Sequence, residues 1–162
     1  MSSSFKSFGM LAVLALLASG AQGADVEINH GGALGVGAGL GQPLGVTGKF
    51  WFSSLSAVDA MMGYHVDDNF DVHADYLLHA YPFTGVPNGK LPLYVGLGGR
   101  ILAGDDTQFG LRIPLGLSYL CERTPIELFA EVAPVIRLNG ISASVDGMVG
   151  IRLYTAYLSS VH

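Results

Sequence analysis

Hydrophobic and polar residues alternate along most of this chain with a period of two, the signature of strands with two unlike faces. In 33–41, Leu34, Val36, Ala38 and Leu40 point one way and Gly35, Gly37, Gly39 and Gly41 the other. In 44–52, Thr47, Lys49 and Trp51 oppose Val46, Phe50 and Phe52. In 56–65, Asp59 opposes Val58, Ala60, Met62 and Tyr64. In 70–79, Asp71, His73, Asp75 and His79 oppose Val72, Ala74, Tyr76 and Leu78. The pattern continues through 91–101, where Tyr94 and Arg100 oppose Leu93, Val95, Leu97 and Ile101. In 111–120, Arg112, Gly116 and Ser118 oppose Leu111, Ile113, Leu115 and Leu117. Glu127 and Glu131 oppose Leu128, Ala130 and Val132, and Asp146, Gly150 and Arg152 oppose Val149, Ile151 and Leu153.

These are eight segments of about the 9–11 residues that a tilted membrane strand needs. Turn residues separate them at 42–43, 67–69, 87–89, 105–106, 124–125 and 139–140. Charges keep to one face of each strand, and the opposite face carries none. A soluble barrel such as a lipocalin would have to enclose the charges or expose whole apolar rows to water, and soluble proteins seldom expose apolar patches above a few hundred Å². The lipocalin G-x-W signature is also missing, since GKFW at 48–51 is one residue too long. Lipid around the barrel removes the conflict. The expected fold is therefore all-β, an eight-stranded antiparallel up-and-down transmembrane β-barrel.

Composition agrees with that expectation. Half of the 162 residues are hydrophobic and 13% are charged, against about 25% charged in soluble domains. No apolar run beyond the N-terminus approaches the roughly 20 residues of a spanning helix. Residues 1–23 read as a signal peptide, with Lys6, an apolar centre at 10–18 and small residues at Ala21 and Gly23. Residues 24–162 then form the barrel domain, located in the cell outer membrane. A single cysteine, Cys121, cannot make an intrachain disulfide. The net charge of −5 argues against a nucleic-acid partner.

An eight-stranded barrel leaves just enough interior for side chains to fill. Lys49, Asp59, Asp75, Arg100, Arg112, Glu131 and Arg152 are expected to form an ion-pair network there, four cations against three anions, with hydrogen bonds from Tyr94 and Ser118. Arg112 should meet Glu131, because their strands are consecutive. Trp51, Phe52, Tyr119 and Tyr157 are expected at one rim and Tyr64 at the other, as aromatic girdles. Pro114 and Pro134 should mark bulges or bends.

The stretches HADYLLH (73–79), LPLYVGLGGRI (91–101), LRIPLGLSYL (111–120), PIELFAEVAP (125–134) and DGMVGIRLY (146–154) resemble small outer-membrane β-barrel proteins of unknown function in Gram-negative bacteria. The resemblance implies an OmpA/OmpX-like eight-stranded barrel and supplies no activity. Members of such groups often end in an aromatic residue, whereas here LeuSerSerValHis follows Tyr157. The partners implied are outer-membrane lipid and, during insertion, the barrel-assembly machinery.

Candidate chemistry is sparse. Asp71, His73, Asp75 and His79 share a face, so a metal site or acid–base pair is sterically feasible, although a polar lumen strand needs such residues anyway. Ser53, Ser54, Ser56 and Ser118 are available as nucleophiles, but no G-x-S-x-G motif occurs. No cofactor or catalytic residue is implied. The connectors at 42–43 and 105–106 are short and that at 80–90 is the longest. The expected role is a structural or envelope one with a plugged interior, the alternatives being a small pore or ligand-binding barrel and a lipid-modifying enzyme.

Overall fold

The structure, a computed structural model, describes residues 33–65, 68–83 and 86–155. They form nine antiparallel strands: β1 (Leu34–Gly41), β2 (Leu44–Trp51), β3 (Ser56–Tyr64), β4 (Phe70–Phe83), β5 (Gly89–Ala103), β6 (Gln108–Arg112), β7 (Leu115–Cys121), β8 (Ile126–Arg137) and β9 (Ser142–Tyr154). Consecutive strands pair, except that β6 and β7 both lie between β5 and β8, and β9 returns to pair with β1, so the sheet closes in a ring. The signal-peptide residues and Tyr157 lie outside the described residues.

Nine strands replace the expected eight because the sixth is interrupted. Both β6 and β7 lie between β5 and β8, and the register is unchanged across the gap: Gly98↔Arg112 and Val95↔Leu115 on one side, Arg112↔Val135 and Leu115↔Val132 on the other. Ile113 and Pro114 fill the break. Gly96 N–H donates to the Pro114 carbonyl at 2.8 Å, and Ile113 N–H donates to the Pro134 carbonyl at 3.0 Å. Proline has no N–H to return either bond. The two prolines thus place both lost ladder bonds at one spot. At Pro134 the expected bulge is absent, and β8 runs straight through it, paired with Val145. The irregularity that does occur lies in β4, between Ala80 and Phe83.

The registers also fix the tilt. Following pairs from Gly37 through Thr47, Met61, His73, Arg100, Gly110 and Arg137 leads to Ser142 on β9. Gly37 itself pairs with Arg152 on that strand, ten residues further along. With eight strand positions, about 3.3 Å per residue and about 4.8 Å between strands, that offset tilts the strands by about 40°.

Alternation then sorts every strand into a lumen row and an outer row. Lys49, Asp71, Arg112 and Glu127 are wholly enclosed, while Leu40, Leu97, Val132, Val149 and Leu153 stand exposed outside. Trp51 corrects one expectation. It is fully buried in the lumen beside Ala33, Ala57 and Tyr154, because it follows Thr47 and Lys49 on the inward parity of β2 and is not part of a rim girdle. Phe52 and Tyr64 are exposed at opposite ends, Tyr64 edge-on to Phe70 at 5.4 Å. The long connector expected at 80–90 shrinks to 84–88, since β4 reaches Phe83 and β5 starts at Gly89.

Inward glycines make room for the larger lumen groups. A Cβ at Gly98 would fall 1.9 Å from Asp75 Oδ1 and 2.3 Å from the Ala74 carbonyl, and one at Gly116 would fall 2.1 Å from the Tyr94 ring. Gly98→Ala is expected to cost about 1–3 kcal/mol by overpacking, measured as a lower urea midpoint of unfolding. An unchanged midpoint would mean that Asp75 does not need the space over β5.

Candidate functional site

Among the described residues the lumen gathers the chemistry-bearing groups, and it holds two ion-pair networks where one was expected. The lower network lies toward the end that carries Ala33 and Thr155, and Glu127 is its hub. Glu127 Oε1 accepts from Lys49 Nζ at 2.8 Å and from Ser118 Oγ at 2.6 Å; Oε2 accepts from the Tyr154 hydroxyl and lies 3.6 Å from Arg152 Nη1. Arg152 also donates to Asp59 Oδ2 at 2.9 Å and to Thr47 Oγ1, and its guanidinium covers the Phe129 ring at 3.9 Å. Below the hub, Lys49 Nζ stands 4.5 Å from the Trp51 ring and 5.2 Å from that of Tyr94, a cation–π arrangement. Trp51 Nε1 donates to the Tyr154 hydroxyl at 3.0 Å, and His79 packs at 4.3 Å against Trp51. Aromatic rings and aliphatic side chains therefore close this end of the lumen.

The upper network centres on Arg112. Its guanidinium donates to Glu131 Oε1 at 2.7 Å, Asp75 Oδ2 at 3.1 Å and Asp146 Oδ2 at 3.3 Å. The expected Arg112–Glu131 contact is thus present, as one of three. Tyr94 O–H donates to Glu131 Oε2 at 2.9 Å. Arg100 pairs with Asp71 at 2.6 Å and Asp146 at 2.9 Å, and it also contacts His65. Asp71 in turn sits 3.2 Å from His73 Nδ1 and 3.3 Å from His65 Nε2.

All seven residues expected inside the barrel are inside it: Lys49, Asp59, Asp75, Arg100, Arg112, Glu131 and Arg152 are each 7% exposed or less. Three further anions join them, Asp71, Glu127 and Asp146. Parity had already put these three on the polar faces. What it could not give was depth along the strand, which decides the partners each of them meets. The expected balance of four cations and three anions accordingly becomes four and six.

The cluster Asp71, His73, Asp75 and His79 is divided. Asp71 and His73 bond each other, Asp75 turns to Arg112, and His79 belongs to the aromatic end, its Nδ1 3.3 Å from the Leu55 carbonyl. Its four members are spread over nine of the fourteen residues of β4, so they share a face without converging. Among the described residues no group of three His, Cys, Asp or Glu side chains is placed to hold a metal ion. Ser118 is fully buried and spends its hydroxyl on Glu127, in a different network from His73. Ser53 and Ser56 bond each other at 2.8 Å in the exposed turn between β2 and β3. Comparison with protein families, curated proteins and solved structures finds no match to this chain.

Proposed function

We propose that this protein is a small integral outer-membrane β-barrel with a filled lumen, serving a structural or envelope-maintenance role without catalysis. One observation carries the reading: the barrel is inside out relative to a soluble protein. Lys49, Arg112, Arg152 and Glu127 are enclosed, while Val36, Leu40, Val46, Met62, Leu97, Val132, Val149 and Leu153 are exposed. Unpaired cations and anions in a dry interior are costly, and an apolar belt of this extent in water is costly too. A hydrocarbon surround relieves the second cost, and the ion pairs relieve the first. On β9 the outward row from Val145 to Leu153, at about 3.3 Å per residue and a tilt of about 40°, spans about 20 Å, close to the roughly 25 Å apolar band of outer-membrane barrels. No helix of the described residues is long and apolar enough to cross a membrane.

The filled lumen favours a structural role over a pore, and the two networks separate Ser118 from His73, the pair a lipid-modifying enzyme would most readily have used. Heat-modifiability tests the barrel itself. Unboiled protein from washed outer membranes should migrate faster than boiled protein; recovery in the soluble periplasmic fraction with no shift would overturn the proposal. Planar-bilayer recordings should show no steady single-channel conductance.

A second experiment separates lipid from water as the solvent of the belt. Val149 is 54% exposed at the middle of the outward row of β9. Val149→Arg is expected to destabilise the membrane-inserted barrel by about 2–4 kcal/mol, whereas a surface substitution in a soluble protein stays within about ±0.5 kcal/mol. Equilibrium unfolding in lipid vesicles reads the difference.

A further inference from the structure

We propose that the upper lumen network binds two protons in the folded protein at neutral pH. The argument begins with a charge inventory. Among the described residues no ion pair links the two networks. The lower one sets Lys49 and Arg152 against Asp59 and Glu127 and is balanced. The upper one sets Arg100 and Arg112 against Asp71, Asp75, Glu131 and Asp146, so it is short of two positive charges. None of these four carboxyl side chains is more than 5% exposed. Two uncompensated charges in such an enclosure are strongly unfavourable, and the fold must supply their counter-charge locally.

A second observation points to the same place. The Asp75 side chain is completely enclosed, its Oδ2 is bonded to Arg112, and its Oδ1 has no hydrogen-bond partner among the described residues. A buried carboxylate oxygen without a donor is the atom at which a proton removes the largest penalty. His65 and His73 both lie within bonding distance of Asp71, so imidazole nitrogens are available as further proton seats. The charged and titratable groups facing this network come from six strands: Asp59 on β3, Asp71, His73 and Asp75 on β4, Tyr94 and Arg100 on β5, Arg112 on β6, Glu131 on β8, and Asp146 and Arg152 on β9, with His65 in the turn after β3; Asp59 and Arg152 pair with each other in the lower network, and Arg137, at the end of β8, is only half-buried and forms no ion pair among the described residues. Metal is the other source of two positive charges, but among the described residues no donor set is arranged for it.

The test counts protons in the purified full-length chain in detergent micelles. Infrared spectra in D₂O show neutral carboxylic acids by their carbonyl stretch, and ¹³C labelling of aspartate separates Asp from Glu without any substitution. Nitrogen-15 NMR of the imidazoles, assigned through variants of His30, His79 and His162, shows whether His65 and His73 are imidazolium. The neutral carboxyls and imidazolium ions together should number two at neutral pH. Asp75→Asn, which replaces a carboxylate by a neutral amide, should lower the number to one. Any other wild-type total overturns the proposal, as does an unchanged total in the variant or a stoichiometric metal ion found by elemental analysis.

Discussion

Arg112→Ala is expected to destabilise the barrel by more than any single apolar truncation in it, by about 3–5 kcal/mol. The guanidinium is fully buried and is the shared partner of Asp75, Glu131 and Asp146 on three different strands. Its removal leaves Asp75 without its donor and takes one from Glu131 and one from Asp146, which keep Tyr94 and Arg100, and breaking a buried pair costs more than the pair contributes when intact. Arg112→Lys should recover only part of the loss. A single ammonium is a point charge and cannot reproduce a planar fork that addresses three acceptors at once. The measurement is a urea titration followed by the gel-mobility difference between folded and unfolded protein. A loss below about 1 kcal/mol for Arg112→Ala would show that the carboxyls find water or other donors, and that the lumen is wetter than its packing indicates.

The sequence already contained most of this site, for a reason that Arg112 illustrates. Its neighbours Leu111 and Ile113 face out, so the period of two alone sets it facing in, and consecutive strands in an up-and-down barrel must put it beside Glu131. Parity is a binary property and survives any error in strand length. Depth is not binary. Whether Asp71, Glu127 and Asp146 lie in the lumen or at its mouth depends on how far each strand extends and how steeply it tilts, which follows from registers fixed only by the closed ring. The same limit explains Trp51, whose parity was legible while its position at a strand end suggested a rim. It also explains why the row Asp71, His73, Asp75 and His79 looked like a cluster: a common face is visible in sequence, but the partners that draw Asp75 to Arg112 and His79 to Trp51 come from other strands. The break at Pro114 was legible from the missing N–H. The uninterrupted course of Pro134 was not, because it depends on which neighbour each proline faces.

The lower network gives the second large effect, and here the order of substitution matters. Glu127→Gln is expected to cost about 3–5 kcal/mol, because among the described residues it leaves Lys49 buried with no other ion-pair partner and deprives Arg152 of one of its two anions. Lys49→Met alone should also destabilise, since Glu127 would then keep Arg152, Ser118 and the Tyr154 hydroxyl but lose its closest cation. The double variant should be more stable than Glu127→Gln alone, because removing both ends of the pair removes the uncompensated ammonium and leaves a long apolar side chain against Trp51 and Tyr94. A coupling of about 0.5–3 kcal/mol between the two positions is the expected reading from the cycle. Simple additivity would mean that Lys49 is held by the faces of Trp51 and Tyr94 rather than by Glu127. The hub would then be Arg152, and the lower lumen would owe its closure to aromatic packing more than to its ion pair.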